Sequence, residues 1–239
     1  MQALLLAGGK GTRLLPYTTI IPKPLMPIGD MPVMELLVRQ LRASGVTEIL
    51  VAIGHLGSLI EAFFQDGTAF GVSIRYLREN QPLGTAGPLT TALPELGEDF
   101  LVLNGDLLTT LNFAKLLQAH RETQADATVS VFPREMKSEF GVIEQDNTGL
   151  LIGYHEKPVQ TFVVSMGCYA FRRTALLPHL KPGEPLDMPA LILRLHDAGA
   201  NVRCHSQACR WLDIGRPEDH LLANEWFAEY RHEFLPLET

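Results

Sequence analysis

Gly8, Gly9 and Gly11 fall within four residues, directly behind the apolar run Leu4-Leu5-Leu6-Ala7. Glycines let main-chain N–H groups come close to a ligand, and a loop of this kind can cradle a phosphate. An ordinary strand-to-loop turn is the alternative on the glycines alone. Lys10, Arg13 and Lys23 add three cations. No Asp or Glu precedes Asp30, although the whole chain carries a formal charge of −7. A local excess of positive charge in an acidic chain points to an anionic ligand.

The loop matches neither of the two common phosphate motifs. A Walker A loop needs Gly-Lys-Ser/Thr after its spacer, and here Lys10 precedes Gly11. A dinucleotide fingerprint needs a third Gly, where this chain has Leu14. Lys23 lies between Pro22 and Pro24. Two prolines stiffen the backbone and aim the side chain between them. Further on, Asn104-Gly105-Asp106 closes an apolar run. An Asp there can bind Mg²⁺, or it can cap the next turn. Glu79 ends another run, just ahead of the Gly/Pro-marked stretch Gln81-Pro82-Leu83-Gly84-Thr85-Ala86-Gly87-Pro88.

These residues need a frame that brings loops together. Apolar patterning predicts strands at 4–6, 47–53, 72–77 and 100–103. Helices are expected at 34–41, ended by Gly45, at 56–64 and shortly after Pro88. Alternating strands and helices imply right-handed βαβ units on a mostly parallel sheet. Ligands of such sheets bind outside the carboxyl ends of the strands. The loops at 8–13 and 81–87 and Asp106 all follow predicted strands, so they can converge there.

The second half reads as more β-rich. A helix is expected at 112–123 with Asn112 as N-cap. Strands follow at 127–132, 141–144, 150–154 and 162–171, the middle two joined by a turn at Asp146-Asn147-Thr148-Gly149. A helix at 187–198, short strands at 201–205 and 210–212 and a helix at 217–230 complete the chain. Leu222, Trp226 and Tyr230 are spaced to form the buried stripe of that last helix. With no linker or internal repeat, residues 1–239 read as one α/β unit.

Composition excludes several classes. An apolar content of 46% and a charged content of 20% argue for a packed core and against disorder. The negative balance argues against a nucleic-acid partner. No apolar run reaches the ~20 residues that span a bilayer, so no membrane partner is expected. Three cysteines, Cys168, Cys204 and Cys209, imply no disulfide framework and fit a reducing, cytoplasmic compartment. Cys204, His205 and Cys209 lack a fourth ligand for zinc.

The run Leu6-Ala7-Gly8-Gly9-Lys10-Gly11-Thr12-Arg13-Leu14-Leu15-Pro16-Tyr17-Thr18, followed by Pro22-Lys23-Pro24-Leu25, closely resembles the signature of the sugar-1-phosphate nucleotidyltransferases. Later segments match as well, so the resemblance covers nearly the whole chain. It implies a Rossmann-like mixed sheet with a β-rich sugar-binding half. Residues 1–110 would hold mainly the nucleotide and 111–239 mainly the sugar phosphate. The implied substrates are a nucleoside triphosphate and a sugar-1-phosphate, with Mg²⁺ as cofactor.

By this resemblance Leu6, Gly8, Gly9, Gly11, Thr12, Pro82, Gly84 and Thr85 bind the nucleotide. Arg13 grips the β- and γ-phosphates, and Lys23 sits near the transferred phosphorus. Asp106 is catalytic and, with Asp213 of Trp211-Leu212-Asp213-Ile214-Gly215, holds the metal. Asn104, Gly141, Glu156, Lys157 and Gly167 face the sugar phosphate. Ser165-Met166-Gly167 stands where relatives often carry Asn-Ala-Gly, which leaves the sugar open. Some relatives add a left-handed β-helix domain, for which no room is expected after the closing helix. A homo-oligomer is compatible with the sequence, which does not give the oligomeric state.

The stretch at 82–89 looks most like that of mannose-1-phosphate guanylyltransferases, and relatives place a base-reading side chain where Glu79 stands. A carboxylate only accepts hydrogen bonds. Guanine offers N1–H and its amino group side by side, whereas uracil and thymine offer one N–H between two carbonyls. Glu79 therefore favours guanine, unless it is a solvated strand-end residue. Thymidylyl, uridylyl or cytidylyl transfer to glucose-1-phosphate or another sugar-1-phosphate is the alternative. So is a non-catalytic nucleotide-sugar-binding regulatory subunit, although that would be expected to have lost Arg13, Lys23, Asp106 or Asp213. A glycosyltransferase would call for Asp-x-Asp where Asn104-Gly105-Asp106 stands.

Overall fold

The computed structural model describes residues 1–79 and 81–235. The β-rich apolar runs become the strands β1 (Gln2–Ala7), β2 (Glu48–Ile53), β3 (Ser73–Arg78) and β4 (Asp99–Asn104). A short strand β5 (Leu107–Thr109) follows at once. Then come β6 (Ala127–Lys137), β7 (Val142–Gln145), β8 (Leu151–His155), β9 (Val159–Arg172), β10 (Val202–Ser206) and β11 (Trp211–Asp213). The main helices are α1 (Val33–Ala43), α2 (Gly57–Phe64), α3 (Phe113–Glu122), α4 (Met188–Asp197) and α5 (Pro217–Phe234). The Asn112 side chain caps α3, accepting from the Lys115 amide at 2.9 Å.

Seven strands form one sheet in the order β10-β6-β9-β4-β1-β2-β3. β1 to β4 are parallel to their neighbours among themselves. β6 and β10 share their direction, and β9 alone is reversed between β4 and β6. The sheet is thus mostly parallel and mixed, as the alternation of elements predicts.

Both faces of the sheet are covered, which is why β1 reads as a continuous apolar run. Ala3, Leu5 and Ala7 meet α1, α2 and α3 through Met34, Leu37, Phe64 and Phe113. Leu4 meets α4 and the turn of helix at 89–92 on the other side, through Leu89, Leu191 and Leu195. A third apolar cluster joins Leu14, Ile28, Val33 and Leu36 to α5.

Two expectations shift. The strands expected at 127–132 and 162–171 run on as a ribbon, Phe132↔Val164 to Lys137↔Val159, beyond the sheet. Its outer residues are exposed, so no burial pattern marks them; the backbone ladder alone extends the strands. The expected stripe of α5 is also rotated. Ala223, Phe227 and Phe234 are buried, whereas Leu222 is 37% exposed. Trp226 and Tyr230 only flank the cluster, and Tyr230 carries the Arg210 guanidinium at 3.3 Å from its ring centre.

α3 is tied to the sheet by His120, whose ring is fully buried. Its Nδ1 lies 2.9 Å from the Thr128 hydroxyl, and its Nε2 lies 3.6 Å from Asp99 Oδ1 without forming a hydrogen bond. Burial is the largest influence and lowers the imidazole pKa from its ordinary 6.5, against the pull of Asp99. A base with a lowered folded pKa binds its proton more readily when unfolded, so acid destabilises the fold. Thermal unfolding of the wild type should lose midpoint as pH falls through 6.5. His120→Gln should flatten that limb between pH ~7 and ~5. Parallel pH profiles for the two proteins would remove His120 as the cause.

Candidate active site

The strand carboxyl ends surround a cavity of about 370 Å³. Its wall gathers Leu6, Gly8 and Gly9 from the end of β1, Glu79 from the end of β3 and Asn104 and Asp106 from the end of β4. Pro82, Gly84 and Thr85 close it on one side, and Arg13, Lys23 and Asp213 on the other. Segments from opposite ends of the chain therefore meet in one place, as the parallel sheet requires.

At one end lies a compact charge cluster. The Lys23 ammonium contacts Asp106 Oδ2 and lies 3.8 Å from Asp213 Oδ1. The Lys23 side chain is only 12% exposed. It is aimed by a short helical turn, Lys23–Leu25, whose N-cap is the extended Pro22. The two carboxylates meet because β11 pairs with β5, setting Asp213 opposite Leu107, one residue beyond Asp106. The Ile214 amide donates to the Asp106 carbonyl at 3.3 Å. Burial first and the Asp106 charge second raise the Asp213 pKa, and Lys23 and Arg13 oppose the rise.

Asp106 Oδ1 is buried, with no hydrogen-bond partner among the described residues. An all-oxygen pair with one free oxygen fits a hard divalent cation, which takes few protein ligands and completes its shell with phosphate oxygens and water. Among the described residues no group of three or more His, Cys, Asp or Glu gathers as a metal cluster.

At the other end Glu79 folds back over Gly8. A Cβ on Gly8 would lie 2.5 Å from Glu79 Oε2, so any larger residue there would displace the carboxylate. Glu79 Oε1 is buried, with no hydrogen-bond partner among the described residues. Burial raises the Glu79 pKa above its ordinary range, partly offset by the Leu83 amide. The carboxylate is half-buried, with Oε1 turned away from solvent.

The remaining expected residues divide. Gly167 abuts the Asn104 side chain. It lies in a bulge of β9, where Ser165 pairs with Val131 and Tyr169 with Val129. The Met166 carbonyl there accepts from Trp211 Nε1 at 2.9 Å. Gly141 lies against Tyr154 and Glu156, whose side chains share a 3.1 Å hydrogen bond. Lys157 follows at φ 45°, an uncommon left-handed conformation for lysine. Gly141, Glu156 and Lys157 belong to the projecting arm and do not line the cavity. Nor do Gly11 and Thr12, which start a helical turn; the Gly11 carbonyl accepts from Thr18 at 2.8 Å. Lys10 is exposed. Ala7, Ala52, Leu83 and Pro88 also line the cavity. Small size marks the alanines, but nothing in their spacing singles them out.

A glycine loop at a strand end, a lysine shared by two carboxylates and a second loop close one cavity at the ligand edge of an α/β sheet. Residues 2–229 match the family model described as Nucleotidyl transferase, and the chain belongs to that family. Its members generally depend on a divalent metal. The chain is 35% identical to a UTP–glucose-1-phosphate uridylyltransferase of Synechocystis over 92% of its length and 61% of the relative. It is 32% identical to a mannose-1-phosphate guanylyltransferase of Mycobacterium tuberculosis, over 92% of its length and 62% of the relative. It thus spans about three-fifths of the curated relatives it matches. The crystal structure of a putative glucose-1-phosphate thymidylyltransferase from Bacillus anthracis superposes with a TM-score of 0.77, covering 98% of both chains at 24% identity. This last likeness establishes the fold.

The inward Glu79 has a cost. A carboxyl group whose folded pKa is raised contributes less stability as pH rises through that pKa. Glu79→Gln removes the buried charge, so its melting midpoint should exceed the wild type's at pH ~8. The gap should close as pH falls toward 4.5, the ordinary value for the group. Calorimetry across that range decides it, and a variant no more stable at high pH would refute the buried-charge reading.

Proposed function

We propose that this chain carries the catalytic unit of a sugar-1-phosphate nucleotidyltransferase. A phosphate oxygen of the sugar-1-phosphate attacks the α-phosphorus of a nucleoside triphosphate; the bond to the β-phosphate oxygen breaks, and pyrophosphate leaves. The observation that carries this reading is the nearly buried Lys23 ammonium between Asp106 and Asp213, in a cavity bounded by the glycine loop. The attacking oxygen is already anionic, so catalysis rests on alignment and charge neutralisation rather than on a strong base.

Each residue has a role in this scheme. The amides at Gly8, Gly9 and Gly11, with Leu6 and Thr12, hold the triphosphate. Arg13 binds the departing pyrophosphate, for which its planar fork is suited. Lys23 stabilises charge on the transferred phosphoryl group and on the incoming sugar phosphate. Asp106 and Asp213 would hold Mg²⁺, which supplies charge neutralisation at the phosphates when bound. Asn104 and Gly167 at the sheet edge, and Gly141, Glu156 and Lys157 on the arm, receive the sugar phosphate. Residues 1–110 serve mainly the nucleotide and 111–239 mainly the sugar, in one catalytic domain. The three free cysteines fit a cytoplasmic setting.

Pyrophosphate release, measured over a matrix of triphosphates and sugar-1-phosphates with added pyrophosphatase, tests the reaction. Arg13→Ala and Lys23→Ala should each lower turnover ~10²–10³-fold with the fold intact, the usual effect of losing one preorganised charge contact. Excess EDTA should abolish turnover and Mg²⁺ restore it. Near-normal activity in either variant or in EDTA would overturn the corresponding assignment.

The similar proteins use different bases by name, so the base must be argued from Glu79. Its buried Oε1 is an acceptor with no donor among the described residues, and guanine supplies two adjacent donors. GTP should be preferred over UTP and dTTP in competition. Glu79→Gln should narrow the preference by ~1–3 kcal/mol, the scale of one bidentate base contact. A preference for UTP or dTTP would end the guanylyl reading and leave the reaction class standing. Mannose-1-phosphate or a related sugar phosphate is the acceptor to try first.

A further inference from the structure

The stretch at 83–88 lines the cavity with Glu79; turn bonds from residues 89–92 tie its last three residues locally, and the rest of its support comes from far along the chain. That support is residues 186–188, at the start of α4. The Leu186 amide donates to the Leu83 carbonyl at 2.8 Å, and the Ala86 and Gly87 amides donate to the Leu186 carbonyl at 2.8 and 3.2 Å. Two side chains complete the joint. The Thr85 amide donates to Asp187 Oδ1 at 3.2 Å, and the Met188 amide donates to the Thr85 hydroxyl at 2.7 Å.

This exchange of caps is unusual. Asp187 is the N-cap residue of α4, where an aspartate normally accepts from the second or third amide of its own helix. Here it makes no such bond. Its carboxylate reaches to the loop, and the loop's Thr85 hydroxyl serves an orphan amide of the helix in return. The fit leaves no slack: Gly84 has φ +75°, and a Cβ there would lie 2.6 Å from Asp187 Oδ1. The joint also bears on Glu79. The Leu83 amide lies against the Glu79 carboxylate and stabilises its charge, while the Leu83 carbonyl is fixed by Leu186.

We infer that Asp187 is a positioning residue for nucleotide recognition: with Thr85 it clasps the 83–88 loop to α4 and so sets the wall against which the base binds. The inference rests on the nucleotidyltransferase reading for its kinetic consequence, but the clasp itself does not. It predicts a division of effects. The phosphates and the reacting atoms lie at Lys23 and Arg13, away from the clasp, so loosening the loop weakens nucleotide binding and spares the chemical step.

Asp187→Ala should raise KM for the preferred triphosphate about tenfold, the effect of losing roughly 1.4 kcal/mol of binding. It should leave kcat within about twofold and KM for the sugar-1-phosphate unchanged, since uniform binding alone is lost. Asp187→Asn keeps an acceptor oxygen in place and should restore KM. Amide hydrogen exchange should quicken in residues 83–92 of the alanine variant and stay unchanged in β1 and β4. If Asp187→Ala does not fold, Asp187→Ser can cap its own helix but lacks the reach to Thr85. It should show the same split. A wild-type KM for triphosphate in the alanine or serine variant overturns the inference. So does an equal rise in both KM values, or an asparagine variant as impaired as the alanine. If the wild type makes no nucleotide sugar with any substrate pair, the catalytic reading falls, and the exchange measurement decides the clasp: unchanged exchange at 83–92 overturns it.

Discussion

The lysine shared by Asp106 and Asp213 is the constraint around which this cavity is arranged. Two carboxylates brought together repel, and two unit charges 4 Å apart interact by about 4 kcal/mol near a protein surface. Burial adds to that cost, as the raised Asp213 pKa records. The Lys23 ammonium, nearly withdrawn from solvent, and Arg13 offset part of both. Several structural features serve to keep it there. Pro22 and Pro24 restrict the backbone on either side of Lys23, and the β5–β11 ladder places the second carboxylate beside the first. On the proposed reading such a cluster suits ligands that carry charge of their own: incoming phosphates would bring anions toward the lysine, and a divalent cation would relieve the carboxylates. Removing the lysine alone would leave two like charges uncompensated, which costs more than its own contacts are worth.

The two ends of the cavity show the same tension in different forms. At the phosphate end, opposite charges are already matched within the protein. At the Glu79 end the described residues leave the charge unmatched: one buried oxygen finds no donor among them, and the Leu83 amide supports the group. A fold selected for stability alone would place a neutral or apolar residue there. An acceptor kept poor in donors is suited to a ligand that brings them, and its specificity comes from the penalty imposed on ligands that do not.

Much of this was readable in the sequence, for identifiable reasons. β1 to β4 announce themselves because both sheet faces are covered, which forces continuous apolar runs. The loop at 8–13 stands out because glycines and cations are concentrated where acids are missing. The extended ribbon of β6 and β9 was not readable past Phe132, since Pro133, Arg134 and Glu135 are exposed and ladder pairing leaves no periodic trace. The buried face of α5 was misjudged by one residue, because Leu222, Trp226 and Tyr230 look as apolar as Ala223 and Phe227, and only the packing partners decide. Asp187 reads from sequence as the first residue of the helix at 187–198. Its true partner, Thr85, is distant in the chain, and no local pattern records a bond made across the fold.

The direction of one strand explains how the second half of the chain reaches a site built by the first. In a purely parallel sheet every strand delivers its carboxyl end to the ligand edge. β9 is reversed, so it delivers its amino-terminal half instead. Its ladder with β4 ends near Cys168↔Leu103, which sets Gly167 against Asn104 at the cavity rim. Everything earlier in β9 must then project past the edge, and β6 must lengthen to pair with it. The bulge at 166–168 is where the strand passes from packed sheet to free arm, and Trp211 fixes that point by binding the Met166 carbonyl. The arm carrying Gly141, Glu156 and Lys157 is therefore a consequence of the reversal. It projects past the same sheet edge as the glycine loop, which is how the proposed sugar-phosphate role of these residues is compatible with their lining no wall of the cavity.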